Sequence, residues 1–109
     1  MNLSDYQKAA SGFAVYPDLG ANPVYPTLGL CGEAGEVAEK IKKVIRDNGG
    51  IISSEKRMEL ASEIGDVLWY VSQLAIELGL DLQDVATANL AKLADRKERN
   101  KLQGSGDNR

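Results

Sequence analysis

The sequence predicts an all-α protein, and three observations carry that reading. Apolar residues recur at three- and four-residue steps through two long segments, strand-like alternation is absent, and clusters of Gly, Pro and Asn divide the chain into four helical stretches. The expected architecture is four-helix bundle-like, with a central antiparallel helix hairpin. At 109 residues the chain fits one domain with a modest core.

The first helix is expected to begin near Ser4, where Ser4-x-x-Gln7 has the spacing of a capping box, and to fade before Pro17. Asp18 to Pro26 reads as a loop, because Gly20, Asn22, Pro23 and Pro26 interrupt any continuous helix. Thr27 then opens a second helix that runs to Asp47, with Leu30, Ala34, Val37, Ile41, Val44 and Ile45 forming its stripe and Asn48-Gly49-Gly50 its stop. Ser53 or Ser54 caps a third helix through Leu60, Ile64, Val67, Leu68, Val71, Leu74, Ala75 and Leu78, ended by Gly79. Asp81, with Asp84 three residues later, opens a fourth whose apolar side carries Leu82, Val85, Ala86, Leu90 and Leu93. One domain over residues 1–102 is expected, followed by a polar, glycine-rich tail, 103–109, that reads as disordered.

Composition narrows the chemistry. A net charge of −3, from 16 acidic and 13 basic residues, lacks the basic excess of a duplex nucleic-acid binder. The single cysteine, Cys31, excludes an intrachain disulfide and reads as a small packed side chain. No charged-then-apolar leader or long apolar run is visible, so the expected location is the cytoplasm, with no membrane partner. Histidine is absent, which removes Ser-His and Cys-His nucleophiles and histidine-ligated zinc together.

What remains is carboxylate chemistry. Glu33 and Glu36 stand three apart on the second helix, and Glu63 and Asp66 repeat that spacing on the third, so each pair shares a helix face. At about 100° per residue both pairs border the apolar stripes of their helices, where a charge is partly withdrawn from water and costly unless neutralised. In an antiparallel hairpin Glu36 lies roughly 16 Å and Glu63 roughly 14 Å from the connecting turn, level to within half a helical turn. One such pair is common on exposed helices and says little. Two that face each other form a hard-cation site suited to Mg²⁺, with Mn²⁺ as a substitute. A cation there neutralises phosphate charge and acidifies a bound water, and with no histidine present Glu36 or Glu33 is the expected proton acceptor.

Glu33-x-x-Glu36, a gap of 26 residues and Glu63-x-x-Asp66 together resemble the signature of MazG-type all-α nucleoside triphosphate pyrophosphohydrolases. YPTLGLCGEAGEVAEKIKK and ELASEIGDVLWYV resemble that family's two central helices, and ANLAKLADR its next helix, over roughly residues 5–100. The resemblance implies hydrolysis of a nucleoside triphosphate to the monophosphate and pyrophosphate, with Mg²⁺ held by Glu33, Glu36, Glu63 and Asp66. It also implies a homodimer or homotetramer, and nucleotide-pool cleansing as the role. A lone small domain leaves the nucleoside to be covered by the first helix and the Pro17 to Pro26 loop, with Tyr16, Tyr25 and Lys8 available, or by another subunit.

Lys40 and Lys43 continue the side of the second helix that carries Glu33 and Glu36, so they are candidates for phosphate oxygens, although lysines one turn after glutamates also form ordinary helix pairs. Lys92 is the lysine the resemblance assigns to phosphate, and Arg96 follows one turn later. Asn89 is expected to point into the apolar side of the fourth helix, as a nucleotide contact or a structural hydrogen bond. Tyr70, one turn past Asp66, borders the nucleoside or fills the core. Met58, Trp69 and Ile76 form a second apolar stripe on the third helix, which makes that helix central or shared between subunits. Gly29, Gly32 and Gly35 predict the close approach of another backbone or of the N-terminal segment. The alternative from another class is a non-catalytic nucleotide- or metal-binding module, or a partner helix docked on Met58 and Trp69. A redox di-iron bundle is disfavoured by the lack of Glu-x-x-His pairs.

Overall fold

Backbone hydrogen bonding sorts the chain into helices alone. The computed structural model describes residues 1–109 and contains α1 (Leu3–Ser11), α2 (Val24–Asn48), α3 (Ser54–Glu77) and α4 (Leu82–Glu98), with no strand. No helix is long and apolar enough to cross a membrane. The all-α expectation holds, and the central hairpin is α2 against α3.

That hairpin follows from its turn and its stripes. Gly49 and Gly50 adopt positive φ of 59° and 81°, and the Gly50 amide returns to the Val44 carbonyl at 3.2 Å, which terminates α2. Ser53 then caps α3 by accepting the Lys56 amide at 3.1 Å. Lys40 lies opposite Glu59 and Glu63, and Gly29 lies against Tyr70, so positions descend along one helix as they rise along the other. The pair is antiparallel.

Two helix starts differ from expectation. The capping box of α1 is formed by Asn2 and Asp5, whose side chains each accept the other's amide, rather than by Ser4 and Gln7. Ser4 instead donates to Asp81 at 2.8 Å. Helix α2 begins three residues earlier than Thr27, at Val24, because Asn22 accepts the Tyr25 amide at 3.1 Å and Pro26 sits in the first turn, where no amide is needed.

Gln7 has a different task. It is buried between α1 and the α3–α4 connection, where its amide donates to the Leu80 carbonyl at 2.9 Å and accepts the Leu82 amide at 3.0 Å. Gln7→Ala strips the partner from the buried Leu82 amide and from the partly buried Leu80 carbonyl. It is expected to cost roughly 2–3 kcal/mol in chemical denaturation, and a loss under 0.5 kcal/mol would mean the connection is held by other contacts.

Helix α1 lies on α3 and α4, and the Trp69 indole donates to the Ala10 carbonyl at 3.1 Å. Trp69, on the stripe expected to make α3 central or shared between subunits, is half-buried under α1 of its own chain. Helix α4 touches α1 and, sparingly, α3, and does not touch α2. The radius of gyration, 16.8 Å, exceeds the roughly 13 Å of a compact chain of this length. The buried apolar core is correspondingly small: Ala10, Ala14, Tyr16, Val44, Leu60, Ala75 and Leu82. Ile64 and Leu68 on α3, and Val85, Leu90 and Leu93 on α4, remain exposed.

Candidate metal centre

Glu33 on α2 meets Glu63 and Asp66 on α3 midway along the hairpin, with one carboxylate oxygen from each within 4.8 Å of the others. The apolar stripes cause this meeting, because residues that border the seam of two packed helices are carried to the same edge of it. Glu33 and Glu63 are half-buried and Asp66 is exposed. Glu36 is exposed one turn beyond Glu33 and lies outside the converging trio, yet its charge still bears on Glu33.

The trio carries more negative charge than its surroundings offset. Partial burial pushes the Glu33 carboxyl up from its ordinary value, and repulsion from Asp66 and Glu63, a hydrogen bond with Glu63, and repulsion from Glu36 add to the rise. Lys40 is the cation at hand, with its ammonium 3.9 Å from both Glu63 and Glu59. An all-oxygen donor set with unbalanced charge fits a divalent hard cation.

Aromatic rings frame this centre. The Tyr70 ring packs against Gly29 and meets Trp69 edge-on at 5.0 Å. Burial raises its phenol, followed by the charges of Tyr25 and Glu33. Tyr6 of α1 comes near Asp66, its phenol raised by burial and then by the Asp66 charge. Sequence reasoning missed Tyr6, since nothing in its local spacing shows that α1 crosses α3 at Asp66.

Of the three spaced glycines, Gly29 has the close neighbour, and it is a side chain rather than a backbone. A Cβ there would run into the Tyr70 ring, whereas Gly32 and Gly35 face open space. Gly29→Ala is expected to cost about 1–3 kcal/mol in thermal or chemical denaturation. Gly35→Ala should stabilise the helix by up to about 1 kcal/mol. Equal effects at the two positions would remove the Tyr70 contact as the reason for Gly29.

The remaining residues separate. Lys43 pairs with Glu39 at 3.7 Å on the outer side of α2, an ordinary one-turn helix pair. Asn89 and Lys92 are exposed on α4 beside Val85 and Ala88. Asn89 thus does not point into a packed interior of its own chain, because α3 does not cover that side. Lys92 and the buried Arg96 pair instead with Asp107 of the C-terminal segment, at 3.4 and 3.6 Å. Helix α4 does not reach α2 within one chain, and neither Lys92 nor Arg96 is paired with any of the four carboxylates there.

A helical hairpin that gathers acidic side chains from both arms defines an all-α protein with an acidic seam whose geometry suits a cation. The chain belongs to the MazG family: the model of the MazG nucleotide pyrophosphohydrolase domain matches residues 26–100, a span that contains α3, α4, most of α2 and all four carboxylates. It is also 50% identical over 114 residues to the Gene 37 protein of Mycobacterium phage L5, covering the whole of both chains. No solved structure matches it. Family membership supports nucleotide pyrophosphohydrolase activity, a hydrolase function, as the general class.

Proposed function

We propose that the chain hydrolyses ribo- or deoxyribonucleoside triphosphates to the monophosphate and pyrophosphate with Mg²⁺, and that its role is to clear surplus or non-standard nucleotides from the cytoplasmic pool. The convergence of Glu33, Glu63 and Asp66 across the hairpin, inside the matched domain, is the observation that carries this reading.

Glu33, Glu63 and Asp66 would hold the ion, with Glu36 completing the set through its own oxygen or through water. When bound, Mg²⁺ or its substitute Mn²⁺ supplies charge neutralisation at the phosphates and a more acidic water. Where Glu36 meets the ion only through water, it would be the carboxylate that accepts the proton of the attacking water, being exposed one turn from Glu33 and outside the trio; Glu33 is the other candidate. Lys40, beside Glu63, can turn its ammonium to a phosphate oxygen, while Lys43 is placed further out. Tyr70 borders the nucleoside.

The same reading takes the protein as a homodimer or homotetramer. In that assembly α4 of one subunit lies on the hairpin of another and delivers Asn89 and Lys92 to its triphosphate, and Arg96 would join them only on leaving its buried pairing with Asp107. The exposed apolar sides of α3 and α4 support this arrangement.

The test is pyrophosphate release from a panel of ribo- and deoxyribonucleoside triphosphates with Mg²⁺, with inorganic phosphate counted separately. Pyrophosphate and monophosphate in equal amounts are expected, and EDTA should stop the reaction. Silence across the panel from folded, metal-supplied protein would leave the non-catalytic binding module as the better description.

A further inference from the structure

Glu77 stands two helical turns past Tyr70 on α3 and takes no part in the carboxylate trio, yet it gathers three donors from a distant stretch of chain. One carboxylate oxygen accepts the Tyr16 hydroxyl at 2.7 Å and the Gly20 amide at 2.8 Å, and the other accepts the Asn22 amide at 3.1 Å. Hydrogen bonds to an ionised carboxylate are the strong ones, and the carboxyl is accordingly held below its ordinary value by the Asn22 amide, the Tyr16 hydroxyl and the Gly20 amide. Gly20, at φ 94°, gives the loop the turn that aims its amide inward.

The clamped loop leads to the metal centre. Asn22 bonds the Pro17 carbonyl at 2.8 Å and the Tyr25 amide at 3.1 Å, which ties the loop to the first turn of α2. The Tyr16 hydroxyl also accepts from Gln73 at 2.9 Å, and its buried ring stacks on Tyr25 with centroids 4.6 Å apart and planes 13° from parallel. Tyr25 in turn neighbours Tyr70, which neighbours Glu33. Tyr25 remains 42% exposed, so this aromatic wall keeps an open face, linked to the carboxylates through Tyr70.

We propose that Glu77 is a positioning residue for the nucleoside, fixing the loop from Tyr16 to Tyr25 so that Tyr25 and Tyr70 form the wall against which the base or sugar rests. This rests on the nucleotide reading above. In that arrangement the wall would serve the nucleoside, next to Glu33 through Tyr70, while the carboxylates and Lys40 would serve the metal and the phosphates. Loss of Glu77 therefore weakens nucleoside recognition while triphosphate recognition survives.

The experiment measures calorimetric affinity with Mg²⁺ for an α,β-methylene nucleoside triphosphate, which resists cleavage, and for inorganic tripolyphosphate, which has no nucleoside. Glu77→Gln is expected to weaken the first by about tenfold and leave the second within twofold. In turnover KM should rise with kcat little changed. Glu77→Asp should recover part of the loss. Tyr25→Ala should reproduce it, and the double variant Glu77→Gln with Tyr25→Ala should bind no worse than Tyr25→Ala alone, because both act through one wall. If Glu77→Gln does not fold, Tyr16→Phe, which removes only one donor to the clamp, should give the same selective loss in smaller measure. Unchanged analogue affinity in folded variants, equal losses for analogue and tripolyphosphate, or fully additive losses would overturn the assignment. Wild-type protein that binds the analogue but releases no pyrophosphate would overturn the proposed reaction and leave the positioning role standing. Protein that binds neither ligand would overturn both.

Discussion

Asp66→Asn is expected to reduce pyrophosphate release at least about 100-fold while helical content by circular dichroism stays at the wild-type level. Asp66 is one of three carboxylates that converge across the hairpin, and the one most exposed to an incoming ion. Its replacement by the neutral isostere removes a ligand charge and leaves the helix undisturbed. The melting temperature separates this role from a structural one. After burial, Asp66 is the first of the causes that raise Glu33, so it adds repulsion to the metal-free fold. Metal-free Asp66→Asn should therefore melt no lower than wild type, whereas the stabilisation gained on adding Mg²⁺, which scales with RT ln(1 + [Mg²⁺]/Kd), should shrink. Activity retained in Asp66→Asn would remove the carboxylate seam as the catalytic centre, and a large drop in metal-free stability would make Asp66 a structural residue.

The second large effect concerns assembly. Leu90 is 68% exposed on α4 and Ile64 is 59% exposed on α3, a poor arrangement for a helix pair that sits in the same chain. Wild-type protein is expected to run as a dimer or tetramer by light scattering at micromolar concentration. Leu90→Glu with Leu93→Glu should raise the dissociation constant at least about 100-fold, since two charges would be buried in an apolar contact. The variant should run as a monomer, and its turnover should fall with assembly. A wild-type monomer at those concentrations would sink the shared-site arrangement, and with it the delivery of Lys92 from a neighbouring subunit.

Much of this organisation is legible in the sequence because helices report themselves locally. The Gly49-Gly50 stop and the Ser53 and Asp81 caps depend on residues a few positions apart and stand where the spacing places them, whereas Ile45, Ile64, Leu68 and Leu78 of the expected stripes are exposed. The meeting of Glu33 with Glu63 and Asp66 is legible for the same reason, since two stripes and one turn fix the register of the hairpin. Glu36 shows the limit: its height is right, but its rotation about α2 leaves it outside the trio. The α1 cap lies two residues before the Ser4–Gln7 pattern, which fits the capping-box spacing equally well, and the bonds of Ser4 and Gln7 to Asp81, Leu80 and Leu82 come from a tertiary contact that no local spacing reveals. Glu77 is illegible for a related reason. It reads as one more glutamate at a helix end, and only the fold brings Tyr16, Gly20 and Asn22 to it.

The span of these contacts along the chain sets an order of assembly. Helices α2 and α3 are joined by a short turn, so their docking closes a small loop at little entropic cost. Helix α1 and its loop are secured by Gln7 to Leu80, Trp69 to Ala10 and Tyr16 to Glu77, bonds that span 73, 59 and 61 residues. Contacts of such separation form late in folding. On that ordering the three converging carboxylates would be gathered while the N-terminal segment is still free, so the seam proposed to hold the ion would form before the aromatic surface proposed to receive the nucleoside.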